Sequence, residues 1–506
     1  MTSQNNDIKD TAMGDKSSNA GKYGYLANNI ALFSISNFVS KILVFLLVPL
    51  YTNVLTTKEY GVADILQVTL LLLVPAVTIN IGEAALRFGI EKTDQRGSIL
   101  RVGYKYVGIA DAAVTIIGLA AMLFVPETID SYLFMFIMLF VTDSLYEFLV
   151  LFFQGCEMVP IVVIGSITST LTMILCNILF LLVIRIGLTG YIAAQVIAYA
   201  AASTVMLLMC RSTGIKLKLA KNKALEREMI DYGKPMILYS TGSWINNASD
   251  RYIVAALCGA AVNGVYGVAY KIPAILMVFQ RIFAQAWQMS ATKSYNDEES
   301  AKFYSSMFKA YNAFMVLGCA VLILIVRPVA AYMFRKDFYE AWRFVPPLLI
   351  SVIFGALTGF LGSINLAYKD SKSMGLATGI GALINVILNL ITVPFFGAMG
   401  AAWATAISYF TMSMMAYIFV KKHVDINGMA VRDAMGYALL LAESIIVIAD
   451  RGSISVICSL VAVFGVGLIY FAEMKGIIAK LYSLLRGKLA VAARHLRTNR
   501  GGKYDE

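Results

Sequence analysis

Three polar side chains interrupt the first long apolar stretch of this 506-residue chain. Ser34, Asn37 and Lys41 are spaced three and four residues apart, so a helix places them on one face. A charge inside an apolar layer costs about 2.5–3.5 kcal/mol on the insertion scale, so such a residue turns toward water, a partner or a ligand. The pattern returns twice. Ser240, Ser243, Asn247 and Asp250 share a helical face with Arg251 beside it, and Lys271, Arg281, Gln285 and Gln288 form a further stripe. Four cations, Lys41, Arg251, Lys271 and Arg281, stand against the single carboxylate Asp250. Cations on rigid helices, desolvated on one side, select an anion, and phosphate is the usual one. Two plainer readings stay open. Asp250, Arg251 and Lys271 can form an internal ion pair that ties helices together, and Lys41 and Arg281 can snorkel or meet a carboxylate elsewhere.

The carboxylates have their own pattern. Asp143 and Glu147 share a helical face, and Asp111 and Asp64 lie in neighbouring apolar stretches. They can hold a driving proton or sodium ion, or pair with Lys and Arg across the same lobe. Glu83 and Arg87, four residues apart, read as a local helix pair or a cytoplasmic gate. No catalytic arrangement competes with transport. The two histidines, His423 and His495, fall in a loop and the tail, and the chain has no P-loop and no metal-ligand spacing. The chain is therefore not read as an enzyme. No cofactor is expected, and a proton or sodium gradient is a candidate for the drive.

The elements that must hold these residues are helices in a bilayer. Hydrophobic residues make up 59% of the chain and charged residues 14%, with a mean hydropathy of +0.73. Soluble domains carry roughly 25% charged residues. A spanning helix needs about 20 mostly apolar residues. Such runs occur at 27–51, 60–83, 103–125, 130–153, 161–184, 190–210, 232–257, 265–290, 307–326, 345–367, 374–395, 400–420, 432–449 and 454–474. The expected fold is an all-α integral membrane protein of about 14 spans. The thirteenth is the weakest, being short and carrying Glu443. Strand-type alternation is missing, which argues against a β-barrel. Most Lys and Arg fall in the two tails and the loops on the same side, so the positive-inside rule puts both termini in the cytoplasm. The loop holding Arg327, Arg335, Lys336 and Arg343 is the exception. This asymmetry accounts for the net charge of +11 without any nucleic-acid partner. The six cysteines are scattered and read as small apolar residues.

The chain is written twice. Tyr60-Gly-Val-Ala63 recurs as Tyr266-Gly-Val-Ala269, and Gly187-Leu-Thr-Gly190 is matched by Gly397-Ala-Met-Gly400, each pair at the same point of its half. Six spans per half make parallel repeats, and transporters built this way rock two lobes around a site between them. The expected organisation is a polar cytoplasmic tail (1–22), a first lobe (23–210), a basic inter-lobe linker (211–234), a second lobe (235–422), two additional spans (423–474) and a basic amphipathic tail (475–506). Leu225, Met229 and Tyr232 predict an amphipathic helix in the linker, lying on anionic lipid, and Pro235 suits the first turn of span 7.

Several runs carry a family resemblance. Asn37-Phe-Val-Ser-Lys41, Pro49-Leu-Tyr-Thr52 and Glu59-Tyr-Gly-Val-Ala-Asp64, closed by Gly82 and Arg87, resemble the opening of the polysaccharide transporters. These are the lipid-linked oligosaccharide flippases of the multidrug/oligosaccharidyl-lipid/polysaccharide superfamily. Tyr232-Gly-Lys-Pro235, Asp250-Arg251, Gly264-Val-Tyr-Gly-Val-Ala-Tyr-Lys271 and Ala286-Trp287 resemble the family's second lobe. The similarity runs over about residues 25–425. It implies a V-shaped, MATE-like pair of six-helix bundles with alternating access. It implies a polyprenyl-diphosphate-linked glycan carried from the inner to the outer leaflet of a bacterial cytoplasmic membrane, for surface polysaccharide synthesis. Glycosyltransferases and a glycan polymerase of the same pathway would be the protein partners. The family's diphosphate-binding role would pass to Lys41, Arg251, Lys271 and Arg281, with Asn37 and Asn247 beside them. Peptidoglycan-precursor flippases use arginines in span 1, where this chain has only Lys41. A multidrug/cation antiporter of the same superfamily is the alternative. It needs a carboxylate in the first-lobe cavity, and residues 27–51 have none.

Overall fold

The computed structural model describes residues 45–212, 221–294, 299–426, 431–449, 452–473 and 475. Asn37 and Lys41 therefore lie outside the described residues, as do much of the linker and nearly all of the basic tail. Every regular element described is helical. The chain divides into two compact units, Met1–Gly267 with Met333–Phe338, and Val268–Tyr332 with Tyr339–Glu506.

In the first unit, α1 is Val48–Val54, α2 Thr57–Val77, α3 Ile81–Glu91, α4 Arg96–Met122, α5 Glu127–Gly155, α6 Val159–Asn177, α7 Gly187–Ser212 and α8 Lys223–Cys258. Next comes α9, Ala260–Ala269. Thr56 starts α2 with a capping box: its hydroxyl accepts from Glu59 N, and Glu59 Oε2 accepts from Thr56 N at 2.8 Å. Ile81, Phe88, Phe148, Phe152, Met206 and Met229 form one buried cluster drawn from α3, α5, α7 and α8. Ile117 of α4, by contrast, is 68% exposed, as an apolar side chain facing lipid would be.

The linker differs from expectation. Asn222 caps α8 by accepting from Leu225 N at 3.1 Å, and the helix then runs 36 residues without a break. Pro235 is thus inside a helix and not in its first turn. Leu225 and Met229 are buried in the protein core just described, not laid on lipid. Glu226 accepts from Lys105 at 2.5 Å and from Tyr106 at 3.1 Å, and Glu228 pairs with Lys92. The Lys105 hydrogen bond holds the Glu226 carboxyl below its ordinary range. The predicted amphipathic helix exists, but protein covers its apolar face.

In the second unit, α10 is Pro273–Ser294, α11 Ser300–Leu324, α12 Val326–Met333, α13 Val345–Ala367, α14 Ser371–Val420, α15 Val431–Ala449 and α16 Ser453–Ile469. Among the described spans α13 is the most enclosed, with nearly all of its residues buried. Phe283 and Trp287 of α10 stack on Tyr311 of α11 and Phe360 of α13 at 4.0 and 4.1 Å. Fifty helical residues would extend about 75 Å, far beyond a bilayer core. Accordingly α14 folds back at Gly397, whose φ of 57° suits glycine. Asn385 Nδ2 then donates to Thr405 Oγ1 at 3.3 Å.

Eight described helices are long and apolar enough to cross a membrane, or nine if α9 and α10 make one broken span. This count of described helices does not reach the expected fourteen. Most of span 1 lies outside the described residues, α14 holds two spans, and α16 has only 17 residues. In addition, α8 is too polar, and α15 carries Arg432, Asp433 and Glu443. The basic loop that broke the charge rule is used internally. Lys336 Nζ donates to Asn53 O at 2.6 Å, and Arg327 donates to Val447 O at 2.6 Å.

Candidate functional site

The first unit gathers three of the singled-out residues, Asp64, Asp250 and Arg251, where α2, α8 and α9 meet. Arg251 Nη1 donates to Asp64 Oδ1 at 2.7 Å. Asn263 Nδ2 donates to Asp64 Oδ2 at 3.3 Å and to Gly61 O at 3.2 Å. Tyr266 OH donates to Asp250 Oδ2 at 2.6 Å, and Asp250 Oδ1 accepts from Arg251 N at 2.9 Å. The two carboxylates are buried, and the Arg251 side chain is only 17% exposed.

The backbone explains how these groups come so close. Gly259 ends α8 with φ +90°, turning the chain into α9 so that Asn263 and Tyr266 face back. Gly61 and Gly264 let the backbones of α2 and α9 touch: a Cβ on Gly61 would meet Ala260 O at 1.8 Å, and one on Gly264 would meet Thr57 O at 1.9 Å. A Cβ on Gly267 would sit 2.8 Å from the Asp64 carboxylate. The repeated Tyr-Gly-Val-Ala segments thus each supply a glycine at this junction, Gly61 at the backbone crossing and Gly267 against the Asp64 carboxylate.

This geometry changes the expected ion pair. Arg251 is paired with Asp64, 187 residues away in sequence. Adjacent helical side chains diverge, whereas α2 presents Asp64 directly to α8. Asp64 is accordingly engaged by a cation. The Glu83–Arg87 pair does not form either. Arg87 reaches Glu91 at 3.0 Å and lies over the Tyr232 ring at 4.8 Å, while Glu83 is close enough to Glu147 to interact electrostatically.

The other carboxylates stay apart from this cluster. Asp111 accepts from Ser144 at 2.7 Å. Asp143 and Glu147 lie near each other on α5, Glu147 exposed, and neither enters an ion pair among the described residues. Asn247 is exposed and donates to Ser243 O at 2.7 Å. In the second unit, Arg281 and Gln288 stand exposed on the face of α10 opposite the Phe283–Trp287 stack, and Lys271 is half-buried. Neither Arg281 nor Lys271 enters an ion pair among the described residues. The sequence reading missed Asn263 and the ligand role of Tyr266. The signal was available, because Asn263 precedes Tyr266 by three residues and so shares its helical face.

Outside the spans, His423 Nε2 lies 3.0 Å from Asp370 Oδ2, with Tyr368 stacked on the imidazole at 5.2 Å. The His423 hydrogen bond, and then Ser373, hold the Asp370 carboxyl down at about 2.

Apolar helices with a buried ion pair and one bent span make a multi-pass membrane protein, and solved structures agree on the fold. An inward closed structure of the lipid II flippase MurJ aligns with a TM-score of 0.64 at 16% identity, covering 89% of this chain and all of that one. An inward-facing multidrug resistance MATE family transporter of the MOP superfamily aligns with a TM-score of 0.62 at 12% identity, covering 79% of this chain and 96% of that one. A family model described as "Polysaccharide biosynthesis protein" matches residues 26–289, and the chain belongs to that family. It is 25% identical over 219 residues to the probable low-salt glycan biosynthesis flippase Agl15 of Haloferax volcanii, 43% of this chain and 46% of that protein. The chain spans about half the length of the curated relatives it matches.

Proposed function

We propose that this protein is a flippase that moves a polyprenyl-diphosphate-linked oligosaccharide from the inner to the outer leaflet for surface polysaccharide synthesis. The membrane is then a bacterial cytoplasmic membrane, with both termini inside. Family membership supports the glycan pathway, and the flippase names of the similar proteins support transfer of a lipid-linked cargo. The carrying observation is Arg281. Its guanidinium is exposed on a polar stripe of a helix anchored by an aromatic stack, and no carboxylate neutralises it among the described residues. A guanidinium in that state offers two parallel N–H donors to a phosphate. Lys271 and Lys41 are the further proposed phosphate ligands, with Asn37 and Asn247 lining. Arg251 acts here as the structural partner of Asp64. Rocking of two six-helix lobes is the proposed mechanism, driven by a proton or sodium gradient.

The test is transfer of a fluorescent polyprenyl-diphosphate glycan in proteoliposomes, read by chemical quenching of the outer leaflet. Arg281→Ala is expected to abolish transfer while the protein still inserts, and Arg281→Lys to retain a part of it. Unimpaired transfer by Arg281→Ala would remove this site. A cation antiporter is the second reading, favoured by the exposed Glu147 with Asp143 and Glu83 near it. It predicts efflux of cationic dyes that Glu147→Gln abolishes and Arg281→Ala leaves intact.

A further inference from the structure

A carboxylate of α15 is enclosed without a counter-charge. Glu443 is 1% exposed, and neither Oε1 nor Oε2 has a hydrogen-bond partner. Ser444 beside it and Ser459 on α16 are equally covered, and both hydroxyls are likewise unanswered. The Ser459 hydroxyl lies beside the carboxylate without closing a hydrogen bond of acceptable geometry. From α11, the fully buried Cys319 comes within electrostatic reach of Glu443.

The charged groups on the neighbouring rungs of the same helix seam have hydrogen-bond partners. One turn along, at Val447 and Ser455, Arg327 of α12 donates to Val447 O at 2.6 Å and to Ser455 Oγ at 2.9 Å. In the other direction, Asp433 accepts from Asn312 at 3.0 Å and from Tyr470 at 2.9 Å, with Arg432 at 3.7 Å. Tyr437 donates to Asn312 at 2.9 Å. The nearby helix α13 contributes no titratable side chain. Arg327 and Arg432 are thus engaged on either side, and Glu443 enters no ion pair among the described residues.

Buried polar atoms in native proteins are satisfied by protein, water or an ion, and a buried charge requires a compensating one. Water would complete the hydrogen bonds but leave the negative charge in place. A small cation answers both. We infer that Glu443 and Ser459 form a binding site for one small monovalent cation, sodium or a proton, between α11, α15 and α16. The site is separate from the proposed phosphate ligands and does not depend on the identity of the cargo.

The experiment is thermal unfolding of the full-length protein in nanodiscs. One arm titrates sodium against N-methylglucamine at fixed pH, and the other varies pH at fixed sodium. Binding to the folded state raises Tm with the logarithm of free cation above the dissociation constant. The wild-type Tm is expected to climb in one arm, which identifies the ion. Glu443→Gln is expected to fold with a Tm that no longer responds, because a neutral amide needs no counter-ion. Ser459→Ala is expected to shift the titration midpoint toward higher cation. A wild-type Tm indifferent to both ions, or a Glu443→Gln protein that keeps the response, overturns the site. Should Glu443→Gln fail to fold, an unchanged midpoint in Ser459→Ala overturns it. The glycan-transfer assay reads Arg281 and this titration reads Glu443, so each reading fails separately.

Discussion

Arg251 and Arg281 are the same residue type on polar helices of the two units, and their surroundings are opposite. Arg251 is held by Asp64 at 2.7 Å in a buried cluster completed by Asn263, Tyr266 and Asp250. Arg281 is exposed, with its helix fixed from behind by Phe283 and Trp287. A cation whose charge is already neutralised holds helices together, whereas one left exposed on a rigid element is available to an anion. Arginine inside a span therefore does not by itself mark a ligand site. The location of the nearest carboxylate decides it.

Removing one partner of the buried pair should have the largest effect. Asp64→Ala or Arg251→Ala strands the remaining charge, with an expected loss of about 3–5 kcal/mol, seen as a lower Tm in detergent and reduced yield. Replacing both together, Asp64→Leu with Arg251→Met, should recover much of that stability. If Arg251→Ala kept its Tm and lost only transfer, the contrast with Arg281 would collapse.

Gly267→Ala should come next. Its methyl group would press on the Asp64 carboxylate at 2.8 Å, and overpacking of this kind costs about 1–3 kcal/mol. The effect should shrink when Asp64 is already Ala, which a double-mutant cycle measures. Arg281→Ala should change stability by less than about 0.5 kcal/mol, so a large drop in Tm would mean that Arg281 is also structural.

The smallest effect is expected at Asp370. Its carboxyl is depressed to about 2 by His423 and Ser373, against an ordinary 3.8. A depressed carboxylate stabilises the fold above its unfolded value, and that contribution is lost as pH falls through the folded one. Acid unfolding of the wild type should therefore gain an additional loss between about pH 4 and pH 2, which Asp370→Asn removes. The comparison is with Arg251, whose partner is buried and should be far less sensitive to salt.

Hydropathy was enough to place most of the spans, because the need for apolar residues in lipid is local and periodic. Expected spans at 161–184 and 345–367 match α6 with its continuation and α13 almost residue for residue. Boundaries failed where a partner distant in sequence took control. Pro235 was read as a helix start, but Asn222 caps the helix earlier, and Leu225 and Met229 are buried in the first unit's core. Asp250 and Arg251 were singled out correctly as polar groups on one helix. Their partners Asp64 and Tyr266 come from other helices, and no spacing rule within α8 encodes them. Glu443 was read only as a weakness of its span, since burial without a partner is a property of three helices together.

The uninterrupted run of α8 carries a mechanical consequence. From Glu226, fastened to Lys105 near its N-terminus, to Arg251, fastened to Asp64, the rod is about 38 Å long at 1.5 Å per residue. Backbone hydrogen bonds make such a rod stiff along its axis, with Pro235 as the one rung that lacks an amide donor. Pulling on the N-terminal end would be felt at the far end almost undiminished, as on a crank with a single soft joint.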